Sequence, residues 1–104
     1  MALSILHRLS GIALYGSMVL FAGFLWLLAG DGAAWAQLDG ALRSPWGNAA
    51  LVLAVWAFLH HLCGGVRHFI WDLGYGYGPR GLAALSWLTA LVPLAGAALL
   101  WMVA

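Results

Sequence analysis

The sequence predicts an all-α integral membrane protein with three transmembrane helices, over about residues 4–30, 48–73 and 82–104, in a single domain covering residues 1–104. Two observations carry this. Of the 104 residues, 65% are hydrophobic, and the charged side chains are only four arginines and three aspartates, too few to clothe a soluble core of that size. The apolar residues, with a mean hydropathy of +0.98, also fall into three long runs. Each can cross a hydrocarbon layer about 30 Å thick, which takes about 20 helical residues.

The first run follows Ser4 and continues to Gly30. "GAAWAQ" after it offers an Ala-x-Ala-like cleavage site, but the preceding apolar stretch is too long for an ordinary signal h-region, so it reads as a retained transmembrane helix. The link "DGAAWAQLDGALRSPWG" is polar and contains Gly and Pro, which suits a connection with a short interfacial turn. The second run extends from Asn48 to Leu73. "GYGYGPRG" then makes a tight glycine-rich link, in which Pro79 is expected to stop the second helix. That link lacks the Lys-Ser/Thr ending of a phosphate loop. Arg8, Arg67 and Arg80 fall on one side of the membrane, and Arg43, Asp31 and Asp39 on the other. The positive-inside rule therefore expects a cytoplasmic N-terminus and second loop, and an outside C-terminus. Trp26, Trp35, Trp46 and Trp101 mark the outer interface; Trp71, Tyr75 and Tyr77 mark the inner one. Four scattered arginines make no basic patch, so nucleic acid is not expected as a partner. The single cysteine, Cys63, excludes an internal disulfide and a cysteine-pair metal motif.

The scarce polar groups concentrate in "HHLCGGVRHFIWD", residues 60–72. At about 100° per residue, His61, Gly65, His68 and Asp72 share one narrow helix face, and His60, Gly64, Arg67 and Trp71 a neighbouring one. The two glycines admit a partner helix or a planar cofactor close to the backbone. His61 lies roughly 18 Å from the inner helix end, near mid-membrane, and His68 only about 7 Å in. His7 and Arg8 stand one turn from the inner surface. Antiparallel packing of helices one and two is expected to gather Ser4, His7, Arg8, His68 and Asp72 into one polar zone, with His61 alone above it. Bland roles compete for several of these residues. Ser4 suits a helix N-cap, the arginines suit flanking charges that snorkel to headgroups, His68 and Asp72 suit a mutually satisfied pair, and His60 suits a residue facing a helix partner.

His61 stands apart, because an ionisable group at mid-membrane is costly and is functional by default. Buried imidazole commonly ligates a metal through one ring nitrogen while the other donates a hydrogen bond. Zinc wants three or four convergent ligands, and Cys63, roughly 160° away around the helix, does not converge with His61. Haem needs only one or two axial ligands, with cationic groups for its propionates. His61 and His68 project about 10 Å apart from one side of a helix, so a second axial ligand has to come from another chain. His7, Arg8, Arg67 and His68 are then candidates for the propionate end. Ser4 and Arg8 also suit a quinone carbonyl, to which a hydroxyl and a guanidinium can both donate. The absence of Cys-x-x-Cys-His points to a non-covalent b-type haem.

Two segments, "SILHRLSG" (residues 4–11) and "HLCGGVRHFIWDLGYG" (residues 61–76), resemble motifs of the cytochrome b membrane anchor of succinate dehydrogenase. They are Ser-x-x-His-Arg-x-Ser/Thr-Gly and His-x-x-x-Gly-x-Arg-His-x-x-x-Asp. The resemblance implies that the three helices form half of a haem-binding bundle. It makes His61 the axial ligand of a shared haem b and sets His7 and His68 near the propionates. It matches Ser4 and Arg8 to residues contacting ubiquinone or menaquinone, and Asp72 to an aspartate relevant to proton delivery. His60 does not match the ligand position. The partners implied are a second anchor subunit with the opposite axial histidine, an iron–sulfur subunit and a flavoprotein subunit, at a cell inner membrane or its mitochondrial counterpart. The chain would not oxidise succinate by itself, having no flavin or dicarboxylate site. In the family an Arg-Pro-Leu-Ser-Pro-His-like segment precedes the first helix and helps cover the docking site of the iron–sulfur subunit, whereas this sequence begins three residues before Ser4.

Two other readings stay open. One is a haem-free quinone-binding anchor, with His61 as a structural hydrogen-bonder. The other is a small ion-conducting or assembly bundle, against which the third helix argues, since its polar side chains are only Ser86 and Thr89.

Overall fold

The computed structural model describes residues 2–30 and 32–103. They form four helices: α1 (Ala2–Leu28), α2 (Gly32–Arg43), α3 (Pro45–Asp72) and α4 (Pro79–Val103). Three of them, α1, α3 and α4, are long and apolar enough to cross a membrane, as the hydropathy runs require. The boundaries differ from those expected. α1 begins before Ser4, so Ser4 lies within the helix and is not its cap. Asp31 and Ala104, used above for orientation and for the end of the third span, lie outside the described residues.

The polar link after α1 is a helix of 12 residues instead of an interfacial turn. Asp39 and Arg43, four apart on it, pair at 2.8 Å. The hydrogen bond that Arg43 Nε donates to the Asp39 carboxylate, then the charge of that carboxylate, raises the pKa of Arg43 above its ordinary value. Phe24 of α1 meets Trp35 of α2 edge-on at 5.6 Å between ring centroids. Ser44 ends this helix and starts the next one. Its hydroxyl donates to the Ala41 carbonyl at 2.6 Å and accepts from the Gly47 N–H at 3.1 Å. Pro45 then occupies the first helical position, where no backbone N–H is needed.

α3 ends at Asp72, well before Pro79, which opens α4. The stop comes instead from Gly74 and Gly76, at φ +84° and +79°, a region that side chains with a Cβ rarely adopt. The turn brings the α4 start back onto itself, and a Cβ at Gly81 would stand 2.8 Å from the Gly76 carbonyl oxygen.

α3 is the central helix. It packs most extensively on α4, then on α1, while α1 barely touches α4. Burial is inverted relative to a soluble protein. Large apolar side chains such as Tyr15, Leu20, Trp26, Trp46 and Met102 face outwards, whereas the buried positions are small or polar: Ala57, Ala97, Ser10, His60, Arg67 and Thr89. Arg67 is only 4% exposed, so it is no snorkelling flank. Its guanidinium lies 5.0 Å above the Trp71 ring. Small residues set the helix spacing, and at Gly96 a Cβ would run into the Leu59 side chain.

At Gly47 a Cβ would collide with the Ala41 carbonyl and the Leu42 backbone, which cannot move aside as a side chain can. Gly47→Ala is expected to prise α2 from α3, with amide exchange across residues 44–50 accelerated well beyond the effect of Ser44→Ala, for which the loss of a cap predicts about fivefold.

Candidate functional site

The site forms where α1 crosses α3. The His7 and His61 rings stack at 4.2 Å between centroids, 4° from parallel. Each donates a hydrogen bond to the other's backbone carbonyl. His61 Nδ1 donates to the His7 oxygen at 3.0 Å, and His7 Nε2 donates to the His61 oxygen at 3.2 Å. Both acceptors are carbonyls, so the tautomers follow: His61 carries its proton on Nδ1 and His7 on Nε2. Ser10 completes the group. Its hydroxyl donates to the same His7 carbonyl at 2.8 Å, and its oxygen lies 3.3 Å from His61 Nδ1.

Two glycines make the crossing possible. A Cβ at Gly11 would stand 2.9 Å from His61 Cε1, and one at Gly64 would run into the His7 ring. Of the two adjacent glycines on α3, then, Gly64 admits α1, while Gly65 has nothing within 4 Å. Beside Gly11 runs an open apolar groove of about 540 Å³, bordered by Leu14, Tyr15, Met18, Phe21 and Phe58.

The expected polar zone is brought together in part. The His68 ring lies 5.4 Å from His7, tilted by 56°, and meets Trp71 edge-on. His7 is therefore poised between His61 and His68, and His61 is not alone above the zone. The glycine crossing sets this register, carrying α1 deeper along α3 than a flush alignment of helix ends would. Ser4 is half-buried and Arg8 is exposed one turn on, while Asp72 is exposed at the α3 terminus. Among the described residues the only ion pair is Arg43–Asp39, so His68 and Asp72 are not a mutually satisfied pair. His60 points away from this site and donates from Nδ1 to the Thr89 carbonyl on α4 at 3.2 Å. Sequence reasoning assigned nothing to Ser10, although its spacing of three from His7, inside the quoted motif, places both on one face of α1.

Histidines from two membrane-crossing helices, locked together in an apolar layer, define a membrane-embedded helical subunit built around a polar site. Over residues 1–104 the chain matches the model of the succinate dehydrogenase/fumarate reductase transmembrane subunit family, and it belongs to that family. It is similar to the succinate dehydrogenase cytochrome b556 subunit of Rickettsia felis, with 32% identity over 99 residues, 95% of this chain and 77% of the relative. The cytochrome b556 subunit of Paracoccus denitrificans is 37% identical over 73 residues, 70% of this chain and 56% of the relative. The human mitochondrial succinate dehydrogenase cytochrome b560 subunit is 36% identical over 78 residues, 73% of this chain and 46% of the relative. The resemblance read from the two motifs is thus borne out.

Because the His7 ring fills the space over Gly64, Gly64→Ala is expected to cost about 1–3 kcal/mol through overpacking. Gly23→Ala, where nothing lies within 4 Å, is expected to be neutral. Unfolding of the two variants in detergent, followed by circular dichroism, checks the difference.

Proposed function

We propose that this chain is the cytochrome b anchor of a succinate:quinone oxidoreductase. In this reading it holds one side of a haem b shared with a second anchor subunit and contributes to the quinone pocket near the cytoplasmic face. The observation that carries the reading is the hydrogen bonding of His61. With the Nδ1 proton held by the His7 carbonyl and Ser10, the ring is fixed in the tautomer whose Nε2 carries a free lone pair, the state an axial ligand needs. Gly65, with open space beside it, and the apolar groove at Gly11 support a flat apolar group on that side.

Each side chain then has a task. His7 and Ser10 hold the His61 ring against rotation. His68 and Arg8 supply hydrogen-bond donors and positive charge for the propionates, and the buried Arg67 adds positive potential. Ser4 and Arg8 donate to a quinone carbonyl oxygen, an interaction that strengthens as that oxygen gains electron density. Asp72, exposed at the helix end, suits proton uptake from the cytoplasmic side. When bound, the haem supplies a one-electron store in the apolar layer. Electrons reach the quinone from an iron–sulfur subunit, itself fed by a flavoprotein subunit that oxidises succinate. Arg8 and Arg80, both exposed, against Arg43 beyond the other interface, support a cytoplasmic N-terminus in an inner membrane. A haem-free anchor is the second reading. In it the whole task of His61 is structural, the stacked and mutually hydrogen-bonded pair with His7 that joins α1 to α3.

A dithionite-reduced minus oxidised spectrum of the purified complex separates the two. The expected result is a b-type haem band in the native complex that His61→Ala abolishes; no band in an intact native complex overturns the haem assignment. Arg8→Leu, which removes a charged donor, is expected to raise the quinone KM about tenfold or more, measured as succinate:quinone reductase activity.

A further inference from the structure

The large side chains with the least exposure in the described chain are His60, Thr89 and Pro93, and the site described above uses none of them. They form one device between α3 and α4. Pro93 stands inside α4, and a proline has no N–H for the carbonyl four residues before it. That carbonyl belongs to Thr89. In an apolar layer an unpaired carbonyl is expensive, and this one is taken by His60, whose Nδ1 donates to it at 3.2 Å. Trp56, one turn before His60, stacks on its ring at 5.2 Å and 13°, and the Thr89 hydroxyl donates back to the Leu85 carbonyl at 2.7 Å. The acceptor is left vacant by one residue, and the donor comes from another helix.

His60 and His61 are consecutive, so their side chains leave α3 about 100° apart. Fixing His60 on α4 therefore fixes the direction in which His61 leaves towards α1. A rotation of α3 by about 20° would carry a ring some 6 Å from the axis through about 2 Å, enough to break the bond to the His7 carbonyl. We infer that His60 is a positioning residue for His61: anchored on the Thr89 carbonyl that Pro93 leaves free, it sets the rotation of α3 and so aims the proposed haem ligand. The inference rests on the haem reading above.

The test reads the low-spin haem electron paramagnetic resonance spectrum and the haem content per complex. Assembled complexes carry the native chain, His60→Phe, His60→Asn, Pro93→Ala or His61→Ala. Phenylalanine keeps the ring against Trp56 but donates nothing. It is expected to shift the g values and to weaken haem retention about tenfold, the lower range for losing a group that orients a ligand. Asparagine, whose amide N–H can reach the same carbonyl, is expected to restore the native spectrum. Pro93→Ala leaves His60 in place but gives Thr89 an acceptor bond within α4, and is expected to shift the g values as His60→Phe does. If His60→Phe does not assemble, Pro93→Ala decides the matter in the same way. A native spectrum in both variants, or a failure of asparagine to restore it, overturns the inference while the loss of haem in His61→Ala still upholds the ligand. A native complex without haem, or haem that survives His61→Ala, overturns the ligand and the inference together.

Discussion

Within a bilayer no water is available to the polar edges of an imidazole, so each ring proton needs an acceptor inside the protein. His7 and His61 meet that requirement mutually, each donating to the other's main chain. Main-chain acceptors tie the rings to helix positions, not to mobile side chains, and the register of α1 along α3 follows from them. Gly11 and Gly64 are needed because two stacked rings and two backbones must share one crossing. The level of His68, the location of Ser10 and the height of Ser4 and Arg8 are all set by that register.

The rest of the bundle follows this accounting in part, since Arg67 Nε and Trp71 Nε1 are buried with no hydrogen-bond partner among the described residues. α4 presents Thr89 to α3 and packs through Gly96 and Ala97. The exposed hydroxyl of Ser17 donates back to the Ala13 carbonyl at 2.9 Å, which hides it from hydrocarbon. Large apolar side chains are spent on the outside because lipid offers them nothing to flee. What joins the helices is close approach at small residues together with a few hydrogen bonds. The central helix carries most of the polar groups because it alone has extensive neighbours on two sides.

The three spans and the importance of the 60–72 stretch were legible in the sequence, since both rest on composition and on 3.6-residue periodicity. α2 was not. Its glycine, proline and charges looked like a link. Its helicity depends on the Ser44 hydroxyl at its end, on packing of its own Trp35 against Phe24, and on the close approach of Gly47 to Ala41 and Leu42. The two faces of α3 were read correctly as faces, but not which one would turn inwards. His60, Gly64 and Arg67 are buried, whereas Gly65 and Asp72 are exposed, because the choice depends on where α1 and α4 lie. Pro79 appeared to be the stop signal, yet Gly74 performs the stop with its positive φ. The partner of His61 lies 54 residues away in the chain, a distance no local pattern spans.

The tight glycine turn between α3 and α4 has a bearing on how the chain is made. A helix bearing three histidines, an arginine and an aspartate partitions poorly into hydrocarbon by itself. An arginine at a helix centre costs about 2.5–3.5 kcal/mol on insertion scales, and Arg67, nearer the inner end, costs part of that. The acceptor for His61 has been synthesised before it, in α1, but the acceptor for His60 lies in α4 and emerges later. Until then α3 is a half-satisfied guest of the membrane. A connection of only a few residues, bent by Gly74 and Gly76, keeps the wait short by delivering Thr89 opposite His60 as soon as α4 enters. The helical hairpin, and not the single helix, is thus the natural unit of co-translational insertion.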